Sequence, residues 1–289
     1  LEIRITGISG YLGKKIEEEL KKRGHEVLGI ERKLIYGSLT TLSKEIEGTD
    51  VVINLAGAPI LQRWTERKKI LIHESRVRTT RNLVKAINAL PLEKQPKKLI
   101  SASAIGIYKQ GFSHDENSAN FDEGFVGKVV QDWENASSEL PSHIQKNILR
   151  IGLVLGKEAK TITNLLLPFK LGLGATIGNG KQSFPFIHET DVIRAFIWTV
   201  EDLDKSGIFN LVAPENISNK EFTKALAKTL NRPAIFSIPE FILKMVLGEA
   251  AVLLTESPTV EPRNLLEAGF LLRHPDIESA LKEIVNTEN

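Results

Sequence analysis

The chain has 289 residues, 42% hydrophobic and 26% charged, which is enough apolar material for one large folded unit or two modest ones and excludes disorder and low-complexity repeats. Its 38 Lys and Arg against 36 Asp and Glu leave a net charge of +2, too even for a dedicated nucleic-acid binder, so any ligand must be held locally. Cysteine is absent, which excludes disulfides, thiolate nucleophiles, iron–sulfur clusters and cysteine-ligated zinc.

No apolar run approaches the ~20 residues a membrane-spanning helix needs, and the chain opens on a strand-like segment, so a cytoplasmic protein without a membrane partner is expected. In chain order, Glu2–Thr6 reads as an apolar strand, followed by a glycine turn and a helix over residues 12–23, where Leu12, Ile16 and Leu20 recur four residues apart. Gly24 closes that helix and Glu26–Ile30 is the next strand. Strands over 51–55, 97–101 and 147–151 then alternate with helices over 65–89 and 124–140. A helix over 190–202 and a strand over 207–212 resume the rhythm after a Gly-, Leu- and Thr-rich stretch, and short helices with proline turns fill the remainder. Nearly all-apolar strands alternating with helices predict an α/β fold, a Rossmann-type doubly wound parallel sheet with a smaller mixed C-terminal lobe. Residues 1–156, completed by 187–213, would form the dinucleotide-binding domain, and 157–186 plus 214–289 the substrate-side lobe.

The first turn carries Gly7, Gly10 and Gly13 between a strand and a helix. At that spacing one glycine permits the tight turn, the second lets backbone approach a pyrophosphate, and the third lets helix and strand pack closely. The helix N-terminus, through Ser9, Tyr11 and Leu12, would offer unpaired N–H groups to the anion. Glu31 ends the second strand, where an acid usually meets the adenosine ribose, but Arg32 and Lys33 follow it at once. A guanidinium there grips a 2′-phosphate, so NADP is the expected cofactor and NAD the alternative.

The turn, with Asn54 to Ile60, Arg63-Trp64-Thr65, Ser75 to Thr80 and Ser101 to Tyr108, resembles the extended short-chain dehydrogenase/reductase superfamily, and within it the atypical branch of sugar-nucleotide epimerase-like proteins. Further blocks agree, including Arg150 to Gly156, Leu167 to Gly174 and Ile187 to Asp191, and the tail resembles that branch's C-terminal domain of unknown function. The resemblance implies that the Gly7 to Gly13 turn holds the pyrophosphate, Arg32 the adenosine phosphate, and Leu55, Ala56 and Gly57 the adenosine-side ribose and nearby phosphate. It also implies that Arg76 contacts a cofactor phosphate or ribose and that Val154 lies against the nicotinamide. An NADP(H)-binding oxidoreductase or epimerase acting on a small polar substrate, perhaps nucleotide-linked, is the function it suggests.

Members of that superfamily use a tyrosine as acid/base and a lysine four residues on, side by side on one helix face. Of the three tyrosines here, none falls on the helix beginning near Gly124. The one Tyr-x-x-x-Lys match, Tyr11 with Lys15, lies in the phosphate turn and its helix. On the expected helix Lys128 sits one turn after Phe125 and could act as a base or bind the cofactor's ribose, and Ser103 stands where the superfamily polarises a carbonyl; these two are the candidate catalytic residues. The altered helix also raises an alternative, a catalytically inactive NADP(H)-binding redox sensor. The six histidines have no metal-ligand spacing, so no metal is expected. His188 to Asp191 reads as a helix start with Thr190 or Asp191 as cap. Arg150 would either contact substrate or close an ion pair at the sheet rim, and the stripe Phe241, Ile242, Met245, Val246 would pack on the core or a partner subunit. A monomer or homodimer is expected.

Overall fold

The computed structural model describes residues 1–286. Six strands, β1 (Glu2–Thr6), β2 (Glu26–Ile30), β3 (Val51–Asn54), β4 (Lys98–Ala104), β5 (Gln145–Ile151) and β6 (Gly207–Leu211), form one parallel sheet in the order β6-β5-β4-β3-β1-β2. The principal helices are α1 (Tyr11–Lys22), α2 (Leu39–Ile46), α3 (Glu66–Asn88), α4 (Phe125–Asn135), α5 (Lys160–Lys170), α6 (Glu189–Glu201), α7 (Asn219–Thr229), α8 (Glu240–Leu247) and α9 (Ile277–Asn286).

Successive side chains of a strand point to opposite faces, and both faces here are apolar, so both need a cover. Ile3, Ile5, Ile53, Ile100 and Leu149 pack with Ile16 and Leu20 of α1 and with Val192, Ala195 and Phe196 of α6. Val52 and Leu99 look the other way, onto Leu42 and Ile46 of α2 and Leu83, Val84 and Ile87 of α3. The chain leaves β1 toward β2 and then returns to β3 on the other side of β1. That reversal opens a crevice at the carboxyl ends of β1 and β3, where sheets of this type bind ligands.

Beyond the sheet, a second core gathers Ile162 and Phe169 of α5, Phe222 and Leu226 of α7 and Leu281 of α9 around Phe184 and Phe186. Leu165 and Leu166 lie against this core rather than over the crevice. Short parallel strand pairs join its parts, Leu153–Leu155 with Phe186–His188 and Ala175–Ile177 with Phe236–Ile238.

Several element limits differ from the sequence reading. Helices α2 and a single turn over Arg32–Ile35 occupy the stretch between β2 and β3. Strand β4 runs on to Ala104, because its small residues keep pairing with β5 as far as Ile151. Helix α4 stops at Asn135 instead of reaching 140; the Ser137 hydroxyl bonds the Glu134 carbonyl at 2.7 Å, and Pro141 follows. Helix α6 is capped neither by Thr190 nor by Asp191. The His188 ring accepts the Thr190 N–H at 3.2 Å, while the Asp191 carboxylate accepts the N–H groups of Arg273 and His274 at 2.8 and 2.9 Å. The stripe on α8 is not core: Phe241 and Met245 are 63% and 71% exposed.

Candidate functional site

The crevice between β1 and β3 is a cleft of about 770 Å³ lined by Gly7, Ser9, Glu31, Arg32, Ala56 and Gly57, together with Lys33, Tyr36, Ala58, Pro59, Ser75 and Thr79. A chain of buried hydrogen bonds fixes its floor. Thr6 Oγ1 donates to Asn54 Oδ1 at 2.7 Å, Asn54 Nδ2 donates to Thr80 Oγ1 at 2.8 Å, and Thr80 Oγ1 donates to the Arg76 carbonyl at 2.8 Å. The ends of β1 and β3 are thereby tied to α3, and the turns that follow them are held in register.

The glycines of the first turn are sterically required. Gly7 has φ +71°, and a Cβ on it would stand 2.9 Å from the Leu55 carbonyl group; a Cβ on Gly13 would stand 2.4 Å from the Gly7 oxygen. Gly10 caps α1 without a side-chain bond, and no acid occupies the first turn. The N–H groups of Tyr11, Leu12 and Gly13 are therefore free to face an anion, and the positive end of the helix favours one. Gly13→Ala is expected to abolish NADPH binding and to lower stability by about 1–3 kcal/mol through overpacking, as measured by fluorescence titration and denaturant unfolding.

At the other end of the cleft, Lys33 Nζ holds the Glu31 carboxylate at 2.7 Å. Among the described residues Arg32 has no carboxylate partner, and it lies 5.6 Å over the Tyr36 ring, whose second neighbour is Arg78 at 5.3 Å. Two guanidinium groups thus flank one aromatic ring at the rim. Tyr36 and Arg78 were not singled out from the sequence, because their link to Arg32 exists only once the turn after β2 has folded back on α3. The glycine cradle that a Cβ would fill, the bare helix N-terminus and the Arg32 guanidinium at the rim of the cleft fit a dinucleotide.

The remaining expected residues are distributed unevenly. Leu55 and Val154 pack partly buried against the central core. The Tyr11 hydroxyl turns away from the cleft and donates to Glu189, which also pairs with Lys15 at 3.1 Å. Burial and that carboxylate raise the phenol's pKa, so Tyr11 stays protonated. Arg76 lies behind Gly57, where a Cβ would come within 3.1 Å of its guanidinium. It donates to the carbonyls of Ile72 and Ala58 at 3.0 Å each and stacks 5.3 Å over Trp133; burial lowers its pKa to about 10.

The two candidate catalytic residues part company. Lys128 is exposed, on the side of α4 turned away from the sheet. Along the face of α4 turned to the end of β4, Val126 packs on Gly106, just past β4, Val130 joins Tyr108 and Val212, and Glu134 reaches Ser103. Lys128 is two residues out of phase with Val126 and Val130. Ser103 is at the expected strand end but buried, its hydroxyl donating to Glu134 Oε1 at 2.5 Å. Arg150 closes on the same carboxylate with Nε and Nη2 at 2.8 and 2.7 Å, so the second of its two expected roles, an ion pair at the sheet rim, is the observed one. Arg150 Nη1 also donates to the Tyr108 hydroxyl at 2.7 Å, which donates to Asn210 Oδ1 at 2.8 Å. Among the described residues no cluster of His, Asp or Glu could hold a metal ion, and no helix is long and apolar enough to cross a membrane.

The model of the NAD dependent epimerase/dehydratase family matches residues 3–211. The chain belongs to this family. A domain of unknown function, DUF1731, matches residues 238–284. The mouse epimerase family protein SDR39U1 is 35% identical over 99% of this chain and its own whole length, and the Bacillus subtilis epimerase family protein YfhF is 31% identical over 99% of this chain and 98% of its own. The crystal structure of human SDR39U1 with NADPH superposes with a TM-score of 0.91 at 32% identity, covering 99% of both chains. The α/β fold with its parallel sheet and nicotinamide-dinucleotide cleft is therefore a family property of this epimerase-family member.

Proposed function

We propose that this family member is an NADP(H)-dependent oxidoreductase that moves a hydride at the carboxyl end of β4, across the crevice from the adenosine rim. The observation that carries the cofactor choice is Arg32, which among the described residues has no carboxylate partner while Lys33 engages Glu31, and which stacks on Tyr36 where a 2′-phosphate would lie. The NADPH in the human relative supports the same choice. The bound cofactor supplies the hydride; the chain supplies the cradle at Gly7 to Gly13, the phosphate grip at Arg32 and the packed floor at Thr6, Asn54 and Thr80.

Arg32→Ala is expected to weaken NADPH binding about 10- to 100-fold, the worth of a charge-assisted hydrogen bond, and to leave NADH binding unchanged. Retention of the NADPH preference in that variant overturns the assignment. A small polar, nucleotide-linked substrate is the expectation from the family resemblance, and its epimerisation would need a base at a sugar hydroxyl. Val126 and Val130 favour the second reading, an NADP(H)-binding regulatory protein without turnover, and tight NADPH binding with no substrate of any class consumed is the result that would establish it. Residence in the cytoplasm and a monomer or homodimer without nucleic-acid or membrane partners complete the proposal.

A further inference from the structure

Resting on the reading of NADP(H)-dependent hydride transfer, we propose that the acceptor is a planar, conjugated two-electron acceptor, of the quinone or isoalloxazine kind, rather than the hydroxyl or ketone of a sugar. Interconverting an alcohol and a ketone requires a proton to move at oxygen as the hydride moves at carbon, and so a group poised to carry it. The groups near the end of β4 are all committed. Ser103 gives its only proton to Glu134, both oxygens of Glu134 receive Arg150, and Tyr108 is fully buried between Arg150 and Asn210. The helix face beside them presents Val126 and Val130.

A conjugated acceptor removes that requirement, because the charge it gains with the hydride is delocalised and its proton can follow from water. The step balances as one hydride, carrying two electrons, from the dihydronicotinamide and one proton from water; the acceptor leaves in its dihydro form and NADP⁺ remains.

Two aromatic rings carried beyond the lined part of the cleft suit such a ligand. The loop that runs on from the cleft residues Ala58 and Pro59 carries Trp64, held by its indole N–H on the Ile60 carbonyl at 2.9 Å. Its ring meets Phe125, the first residue of α4, edge-on at 4.9 Å, and both rings are half-buried with surface left to stack on. Next to Trp64, the exposed Arg63 reaches only the Met245 carbonyl at 3.5 Å, and Arg76 has only carbonyl partners besides Trp133. Among the described residues neither guanidinium has a carboxylate partner, and the exposed Arg63 is open to a reduced acceptor's negative charge.

The test takes the full chain saturated with NADP⁺, which cannot react, and measures binding of 2-methyl-1,4-naphthoquinone and, separately, FMN by equilibrium dialysis; the two probes distinguish quinone from isoalloxazine. One of them is expected to bind, and Trp64→Ala to raise its dissociation constant about tenfold, the worth of an aromatic stack. With NADPH the same acceptor should be reduced at a kcat that is flat between about pH 6 and about pH 9, since no protein acid titrates in the step. Two results overturn the proposal while leaving the cofactor reading intact: NADPH binds but neither probe does, or a sugar nucleotide turns over with an acid limb in its pH profile. Failure of NADPH itself to bind overturns both readings.

Discussion

Arg150→Met is expected to lower the free energy of unfolding by about 3–5 kcal/mol, because it strands the Glu134 carboxylate inside the protein. The side chains of Arg150 and Glu134 are only 3% and 11% exposed, and they meet through two parallel hydrogen bonds. Burial works against the guanidinium's charge, but the bonds and charge of Glu134 outweigh it and its pKa goes up. The rings of Tyr108 and Phe121 lie 5.1 and 5.8 Å from the guanidinium, so the cation is held on its flat sides as well as its edges. With methionine in place, Glu134 keeps only the Ser103 hydroxyl, and the Tyr108 hydroxyl loses its donor. Urea unfolding should show a lower midpoint at unchanged slope. The double variant Arg150→Met/Glu134→Leu should recover most of the loss, since removing both charges removes the burial penalty as well as the attraction. A single variant costing less than about 1 kcal/mol would mean that water reaches the pair and solvates it.

That network also marks where sequence reading stops. The glycine turn, Arg32 and the helix over Glu66–Asn88 were legible because each is a local pattern: a fixed spacing, a charge after a strand, a periodic stripe bounded by Thr65. Ser103 and Glu134 are separated by 31 positions and Tyr108 and Asn210 by 102, and no local pattern announces such pairs. Lys98 is the sharper case. A lysine in an apolar strand reads as its frayed edge, yet it is fully buried, and its ammonium donates to the carbonyls of Thr199, Asp202 and Lys205 at 2.9, 2.6 and 2.6 Å. It closes the end of α6 from the neighbouring strand, a role visible only once sheet and helix are stacked. The exposure of Lys128 has a simpler cause. The order of residues does not give the rotation of α4 about its own axis, and in the fold Val126, Val130 and Glu134 turn toward the end of β4 while Lys128 lies outward.

Acidification should destabilise the fold through His188 before carboxylate titration becomes general. His188 is 2% exposed, its Nδ1 accepts the Thr190 N–H at the start of α6, and its ring lies 4.2 Å from His274. Burial first, and then the His274 ring, push its pKa down from 6.5 to about 4, against the opposing pull of Glu189, Asp191 and Glu283. A proton on Nδ1 would also remove the acceptor that caps the helix. Because the folded value lies below the unfolded one, the unfolded chain takes up the proton first. The contribution is therefore complete above about pH 6.5 and is lost as the pH falls toward about 4, reaching about 3 kcal/mol in full and about 2 kcal/mol by about pH 5. His188→Asn keeps a capping acceptor and has nothing to titrate in this window, so its stability should fall less than wild type's between about pH 7.5 and about pH 5, by about 2 kcal/mol. Parallel stability curves for the two proteins would show that His188 takes up its proton at the same pH in the native state as in the unfolded chain, and the helix start would then need another account of its cap.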